Sequence, residues 1–433
     1  MRHNNFGRIV MWPSEFETLK SITVNNTGAV EIGYDALLDE LERLILPSQH
    51  HQVLPLEKAL HKICNKSVYA PMDWPTAAIS AMDGYAFNWQ AAQNLTNLTL
   101  EGASWTGHPQ QPLLNHQACR ISTGALMPLD ADTVIPQEQA MVKDGVLTQV
   151  DKVKQGAHVK QIGSDLACGQ LLIQAGERLK PRHLALLASV GIHKIEVKAD
   201  LKILLLNTGN EVIEPGEPHS QGKTYNANRY GLTAYIQAVL GVSCDTQHLA
   251  DDPLKIKNAL NAYANQYDVI LTTGGSSVGS RDYIRQVLPE LSSGRSYHWH
   301  VQMKPAKPLS LGKINQAWLL ALPGNPVAAM VSMVLFGRRV LCRLLSAKAC
   351  EFDLPACDVT ADFSWCKPDN KMHWLLVSRC DIAGKAGVQL SQNQGASHLL
   401  SLTQADGWVQ LSANQTVKLG DKVRFIAFDQ LGV

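Results

Sequence analysis

The sequence predicts a multidomain α/β-plus-β protein, and three observations carry that prediction. Strand-like apolar runs and helical patterns alternate from Leu201 to about Leu345, the pattern of a mostly parallel sheet with helices on both faces. The stretch 98–149 and the tail beyond Ala349 break instead into short apolar runs separated by Gly, Pro and Asn, as in small β domains. At 433 residues the chain is too long for one ordinary core, so several domains of roughly 100–200 residues are expected.

In chain order, residues 1–30 are polar and aperiodic and read as a flexible extension. They hold no apolar core followed by a small-residue cleavage site, and no stretch approaches the ~20 apolar residues of a membrane span. Leucines at helical spacing and early carboxylates predict a helix over 34–46, stopped by Pro47. A short helix over 56–63 and a strand at 67–69 are expected next. The loop Asp73-Trp74-Pro75 then runs through Ser80-Ala81-Met82-Asp83-Gly84 into a strand with Tyr85, Ala86 and Phe87. Lys180 to Gly191 reads as a helix with Pro near its start and Gly as its C-cap. Beyond it come strands KILLLN, VSCDTQHL, DVILTT and WLLALPG, with helices near 229–240, 253–263, after Asp282, and from Pro326 to Leu345.

Ligands of such a sheet bind at the carboxyl ends of its strands. Three turns stand there: Asn207-Thr208-Gly209-Asn210-Glu211, Gly274-Gly275-Ser276-Ser277-Val278-Gly279, and Leu322-Pro323-Gly324-Asn325-Pro326. The glycines allow close backbone approach, and the helix starts favour negative charge, so together the turns predict an anion pocket. Any one alone reads equally well as a tight turn. Lys+Arg 39 against Asp+Glu 38 leaves no charge excess for gripping nucleic acid. The nine cysteines are scattered without a Cys-x-x-Cys pair, so reduced cytosolic thiols are expected rather than a disulfide framework or zinc knuckle.

The motifs, in order, are Ser80-Ala81-Met82-Asp83-Gly84-Tyr85-Ala86, Thr123-Gly124-Ala125, Thr208-Gly209 with Glu211, Glu214-Pro215-Gly216, Gly274-Gly275 with Asp282, Met303-Lys304-Pro305 with Lys307-Pro308, and Leu322-Pro323-Gly324-Asn325-Pro326. From residue 34 to the end the chain thereby resembles the molybdopterin molybdenumtransferase family, which includes the C-terminal domain of gephyrin. The resemblance implies an elongated, cytoplasmic homodimer. Its parts would be a helix-containing linker domain (31–70 and 155–198), a small β domain (71–154), a three-layer α/β/α domain (199–347) and a C-terminal β barrel (348–433). The implied reaction inserts molybdate into adenylyl-molybdopterin with Mg²⁺ and releases AMP. The site would lie between the α/β domain of one subunit and Asp83 and Thr123 of the other. Contacts with the molybdopterin adenylyltransferase and with acceptor molybdoenzymes are implied as well.

On that resemblance Thr208, Gly209, Gly274, Gly275, Ser277, Gly279, Pro323, Gly324, Asn325 and Pro326 would hold the pterin adenylate. Backbone N–H groups around Gly274, Gly275 and Ser277 would cradle its pyrophosphate. Asp83, Glu211 and Asp282 would hold Mg²⁺, a hard ion that prefers oxygen ligands. Lys304 and Lys307, in a loop stiffened by proline, would confine two cations for molybdate. Asn325 reads as a ligand or as a helix N-cap, and Asp165 as a site acid or a turn residue. His298 and His300 share a strand face and read as packing residues.

The sequence also departs from the family. Ala78, Ile79, Ser164, Asn210, Asn226 and Ser280 stand where acids or amides are usual, and most of these changes remove negative charge. Two readings follow: a working molybdenumtransferase, or a diverged paralogue that binds molybdopterin or its adenylate as a carrier without turnover.

Overall fold

The computed structural model describes residues 29–95, 97–148, 153–274, 282–366, 368–382 and 384–433, with the backbone of Thr23–Val24. The chain divides into two compact units. One takes residues up to Asn65, Gly176–Lys180 and Glu196–Val433; the other takes Lys66–Ala175 and Pro181–Ile195.

The first unit is built on an eight-stranded sheet in the order Thr23–Val24, Val30–Ile32, Ser296–Val301, Pro308–Ile314, Ala317–Leu322, Val269–Thr273, Ile203–Thr208, Cys244–Leu249. The last four of these run parallel. The strands Pro308–Ile314 and Ser296–Val301 pair antiparallel, which makes the sheet mixed. A hairpin with Asn315 in a left-handed turn needs no crossover helix, so it leaves no helix–strand alternation to read in sequence.

Successive side chains of a strand point to opposite faces, and both faces are covered. Ile203 and Leu205 join Leu232, Ile236 and Val331 in one core, whereas Leu204 and Leu206 join Ile256, Leu260, Ile284 and Leu288 in another. This is why the strands read as continuous apolar runs.

The tail forms a closed barrel of five strands, Met372–Ile382, Lys385–Leu390, Cys357–Ala361, Lys422–Ala427 and Gly407–Leu411, the last pairing back onto the first. Leu375, Val377, Val409 and Phe425 fill it. Their neighbours Trp374, Leu376, Trp408 and Ile426 turn outward and share a core with Tyr34 and Phe336, so the barrel is packed firmly against the helical layer. Gly176–Lys180 also belongs to this unit. Arg178 pairs with Glu351 at 3.1 Å and donates to the carbonyls of His61 and Val239.

The second unit centres on a six-stranded sheet in the order Met141–Lys143, Val146–Thr148, Leu98–Ser104, Gln117–Ile121, Gly84–Phe87, Thr133–Pro136. Phe87, Leu98, Ala118, Ile135 and Leu147 form its main core. The helix Pro181–Ser189 is present as its Pro start predicts.

Three local expectations change. Thr23–Val24 and Val30–Ile32 are strands of the large sheet, not part of an aperiodic extension; the rest of 1–28 lies outside the described residues. The helix expected over 56–63 is only a 3₁₀ turn at Leu56–Lys58, because the N–H groups of His61 and Cys64 donate across to Leu179 and Glu177. The long helix from Pro326 carries a π turn at Met333–Gly337 before continuing over Arg338–Leu344.

Candidate functional site

Parallel register brings three strand ends to one edge. Asn207 is opposite Thr273, and Thr273 is opposite Leu322, so the turns that follow these strands meet. Around them lies a cleft of 740 Å³ lined by Thr208, Glu211, Gly274, Gly324, Asn325 and Pro326, with Ser397 and Leu399 reaching in from the barrel side. Gly209 and Pro323 belong to the same turns without lining the cleft. Gly275, Ser277 and Gly279 lie outside the described residues, as do Ser276, Ser280 and Arg281.

Gly274 has φ +84°, and a Cβ there would come within 3.1 Å of the Thr208 hydroxyl. The turn therefore requires glycine on both conformational and steric grounds.

The sequence reading counted Asn207 in the first turn without giving it a site role, and it missed Thr273. Asn207, buried at a strand end, donates through Nδ2 to the Thr273 hydroxyl at 2.5 Å; its Oδ1 is buried with no hydrogen-bond partner among the described residues. Thr273 lines the cleft beside it. Both sit inside an apolar strand pattern, and the only available signal was a polar residue ending an otherwise apolar run.

The third turn departs from an anion cradle. The N–H groups of Val327 and Ala328 donate to the carbonyl of Ala396, at 3.0 and 3.2 Å, so a barrel-side loop caps this helix start. Asn325 is the N-cap residue by position, but its side chain makes no capping hydrogen bond and instead lines the cleft. Asn228 donates to the carbonyl of Gly324 at 2.7 Å and fixes the turn.

Asp282 caps the helix Tyr283–Leu291: its Oδ1 accepts the N–H of Arg285 at 3.1 Å, and the residue is buried. One of its oxygens is thus committed to the helix. Asn226 caps the helix Ala227–Leu240 by accepting the N–H of Arg229, and its Nδ2 donates to Glu214 at 2.9 Å. Burial alone would raise the Glu214 carboxyl, but the Asn226 hydrogen bond and the Arg229 guanidinium bring it below its ordinary value.

The pair expected to confine molybdate is only half free. The Lys304 ammonium donates to the Asp369 carboxylate, whereas Lys307 is exposed and makes no ion pair among the described residues. The sequence reading placed both ammonium groups at one spot because it could not see Asp369, 65 residues away in the chain.

In the second unit Asp83 and Thr123 do meet. The Thr123 N–H and hydroxyl donate to Asp83 Oδ1 at 2.7 and 2.9 Å. These bonds, with the Arg120 guanidinium, hold the exposed Asp83 carboxyl below its ordinary value despite some desolvation. Next to it, any side chain at position 84 would overlap the Ile135 carbonyl, so the paired strands demand Gly84. Asp165 is paired with Lys160 at 2.9 Å on the surface.

His298 donates to or accepts from Ser310 through Nδ1 at 2.8 Å, and burial pushes its pKa down to about 4. Among the described residues no group of three His, Cys, Asp or Glu side chains is placed to hold a metal, and all nine cysteines are free thiols. No helix among the described residues is long and apolar enough to cross a membrane.

Comparison with known proteins places the chain in a family. Residues 32–191 match the family described as MoeA N-terminal region (domain I and II), and residues 204–343 match the one described as probable molybdopterin binding domain. A solved molybdopterin biosynthesis MoeA protein from Pyrococcus horikosii superimposes with a TM-score of 0.76 at 25% identity, over 92% of this chain and 99% of that one. Fold and matches define the class, a MoeA-type protein of molybdenum cofactor biosynthesis.

A molybdopterin molybdenumtransferase from Haemophilus influenzae is 34% identical over 71% of this chain and 76% of its own length. Another from Synechococcus elongatus is 28% identical over 90% and 95%. The chain belongs to the molybdopterin molybdenumtransferase family and is a transferase.

Proposed function

We propose that this transferase inserts molybdate into adenylyl-molybdopterin and releases AMP, working as a homodimer in the cytoplasm. The observation that carries the reading is the sheet-edge cleft, which gathers Thr208, Asn207, Glu211 and Asn325 with the close-approaching Gly274 and Gly324 around a space suited to a phosphate-bearing ligand. In that cleft the Gly274 backbone approaches the pyrophosphate, and Thr208 and Asn325 orient the adenylate by hydrogen bonding. Lys307 and Lys304 attract the molybdate dianion.

Divalent cation chemistry fits the cleft's donor set, which is oxygen-rich and offers the Glu211 carboxylate and the Asn207 Oδ1 left without a partner. Glu211, with Asp83 from a second protomer, would hold Mg²⁺ through few direct bonds and several waters. When bound, the ion screens the pyrophosphate and polarises the phosphoryl bond. The hydrogen bonds from Thr123 keep Asp83 ionised and aimed for that role.

One observation favours the second reading, a carrier that binds the pterin adenylate without turnover. Acid positions of the family serve structural ends here, Asn226 as a cap and donor to Glu214, and Asn210 in reciprocal hydrogen bonds with Asp251. Purified full-length protein supplied with adenylyl-molybdopterin, Mg²⁺ and molybdate separates the two. AMP release is the expected result, and tight pterin binding without AMP release would leave only the carrier. Asp83→Ala is expected to abolish AMP release with an unchanged melting profile; normal turnover in that variant would remove Asp83 from the site.

A further inference from the structure

We propose that Asp369 sets the affinity of the oxyanion subsite: its carboxylate occupies the Lys304 ammonium in the free enzyme, and molybdate must displace it to bind. This rests on the reading of Lys304 as an oxyanion ligand and adds an internal competitor to it.

The pair is held by backbone at both ends. Strand Met303–Lys304 runs parallel to the start of Met372–Ile382, with Lys304 opposite His373. Asp369 lies four residues before His373, and its carbonyl accepts the N–H of Asn414 at 2.6 Å. His373 Nε2 stands 3.5 Å from the same Asp369 oxygen that Lys304 reaches. The His373 ring is itself fixed edge-on to Trp365, with ring centroids 5.5 Å apart. Two long side chains meeting by chance on a surface have no such support.

Exposure gives the pair a direction. The Lys304 side chain is 53% exposed and the Asp369 side chain 21%, so a solute anion reaches the ammonium while the carboxylate sits behind it. An oxyanion arriving at Lys304 meets a cation already neutralised and a carboxylate that repels it. Lys307, exposed and without an ion pair among the described residues, supplies the first hold. As molybdate takes Lys304, the Asp369 carboxylate is left beside His373, which is near enough to receive it. The exchange replaces one charge-assisted hydrogen bond with another, so molybdate affinity is lower than two free lysines would give.

The test compares Asp369→Asn with Lys304→Ala in the full-length protein. The asparagine keeps an acceptor for the Lys304 ammonium and removes only the charge, which separates competition from simple positioning. The KM for molybdate is read from AMP release at saturating adenylyl-molybdopterin and Mg²⁺. Its Kd is read by calorimetry on protein saturated with adenylyl-molybdopterin, which serves equally if turnover is absent.

Asp369→Asn is expected to tighten molybdate by about twofold to fivefold, the range of a part-exposed ion pair, with the adenylate affinity unchanged. Lys304→Ala is expected to weaken it. Weakened binding in Lys304→Ala with unchanged or weakened binding in Asp369→Asn overturns the competition and leaves the oxyanion reading standing. No change in Lys304→Ala overturns the oxyanion reading and this inference with it. Should the asparagine variant melt early, Asp369→Ser carries the same comparison.

Discussion

Restoring the family's acid at position 226 should destabilise this protein, and the structure says by how much. Asn226 Nδ2 donates to Glu214 Oε1 across 2.9 Å, and Asn226 is buried. In Asn226→Asp a carboxylate oxygen takes the amide's place. A hydrogen bond to a charged acceptor disappears, at about 1.5 kcal/mol. Two carboxylates about 4 Å apart repel by about 4 kcal/mol at an effective dielectric near 20.

Two factors offset this. Arg229, 2.9 Å from Glu214, attracts the new charge, and the Glu214 and Arg229 side chains are 29% and 39% exposed, so solvent screens the cluster. Asp also retains the capping bond to the Arg229 N–H. The expected net loss is about 2 kcal/mol at neutral pH, or about 3 °C in melting temperature for a unit of this size.

The sign with pH follows from linkage. In the variant one carboxyl of the pair has its folded pKa raised above the unfolded value, so the unfolded state binds fewer protons between the two values. The deficit is absent below the unfolded carboxyl pKa of about 4, opens as pH rises, and is complete above the raised value. Calorimetric scans of wild type and variant from pH 4 to pH 8 read this directly. A gap of the same size at both ends, or no gap at pH 7.5, would refute the account of Asn226 as a donor that Glu214 requires.

Further outcomes follow from buried groups. Arg178→Met leaves the largely buried Glu351 carboxylate without its guanidinium and is expected to lower stability by about 3–5 kcal/mol, checked by the shift in thermal midpoint; a shift under about 1 kcal/mol would mean that Arg178 contributes little. His298, held near 4 by burial, is neutral when folded but protonates when unfolded below about 6.5. Its contribution, up to about 3 kcal/mol, is present above that value and is lost as pH falls from about 6.5 toward 4. His298→Asn should flatten the acid limb of the stability profile, and an unchanged limb would assign it to other groups.

Much of the site was legible before any coordinates. Thr208, Gly274, Gly324 and Asn325 are adjacent to strand ends in the sequence, and a parallel sheet must gather such turns on one edge. Asp83 and Thr123 were named through the family resemblance; they meet because their flanking strands pair, with Gly84 opposite Ile121. What the sequence hid is long-range and polar. Asp369 reaches Lys304, Ala396 caps the helix after Pro326, and Ser397 and Leu399 line the cleft, all from the barrel. No periodicity encodes which loop of a barrel meets which helix end.

By itself, then, the sequence determined the family, the alternating α/β core and the turns that make the cleft, because these depend on local apolar patterning and on glycines at particular φ values. Only the tertiary structure decided the electrostatic state of the site. Whether Lys304 is a free cation and why position 226 carries an amide both depend on which side chain lies within hydrogen-bonding distance. Charge interactions fall off over a few ångströms, and the residues within that range are chosen by packing rather than by order along the chain.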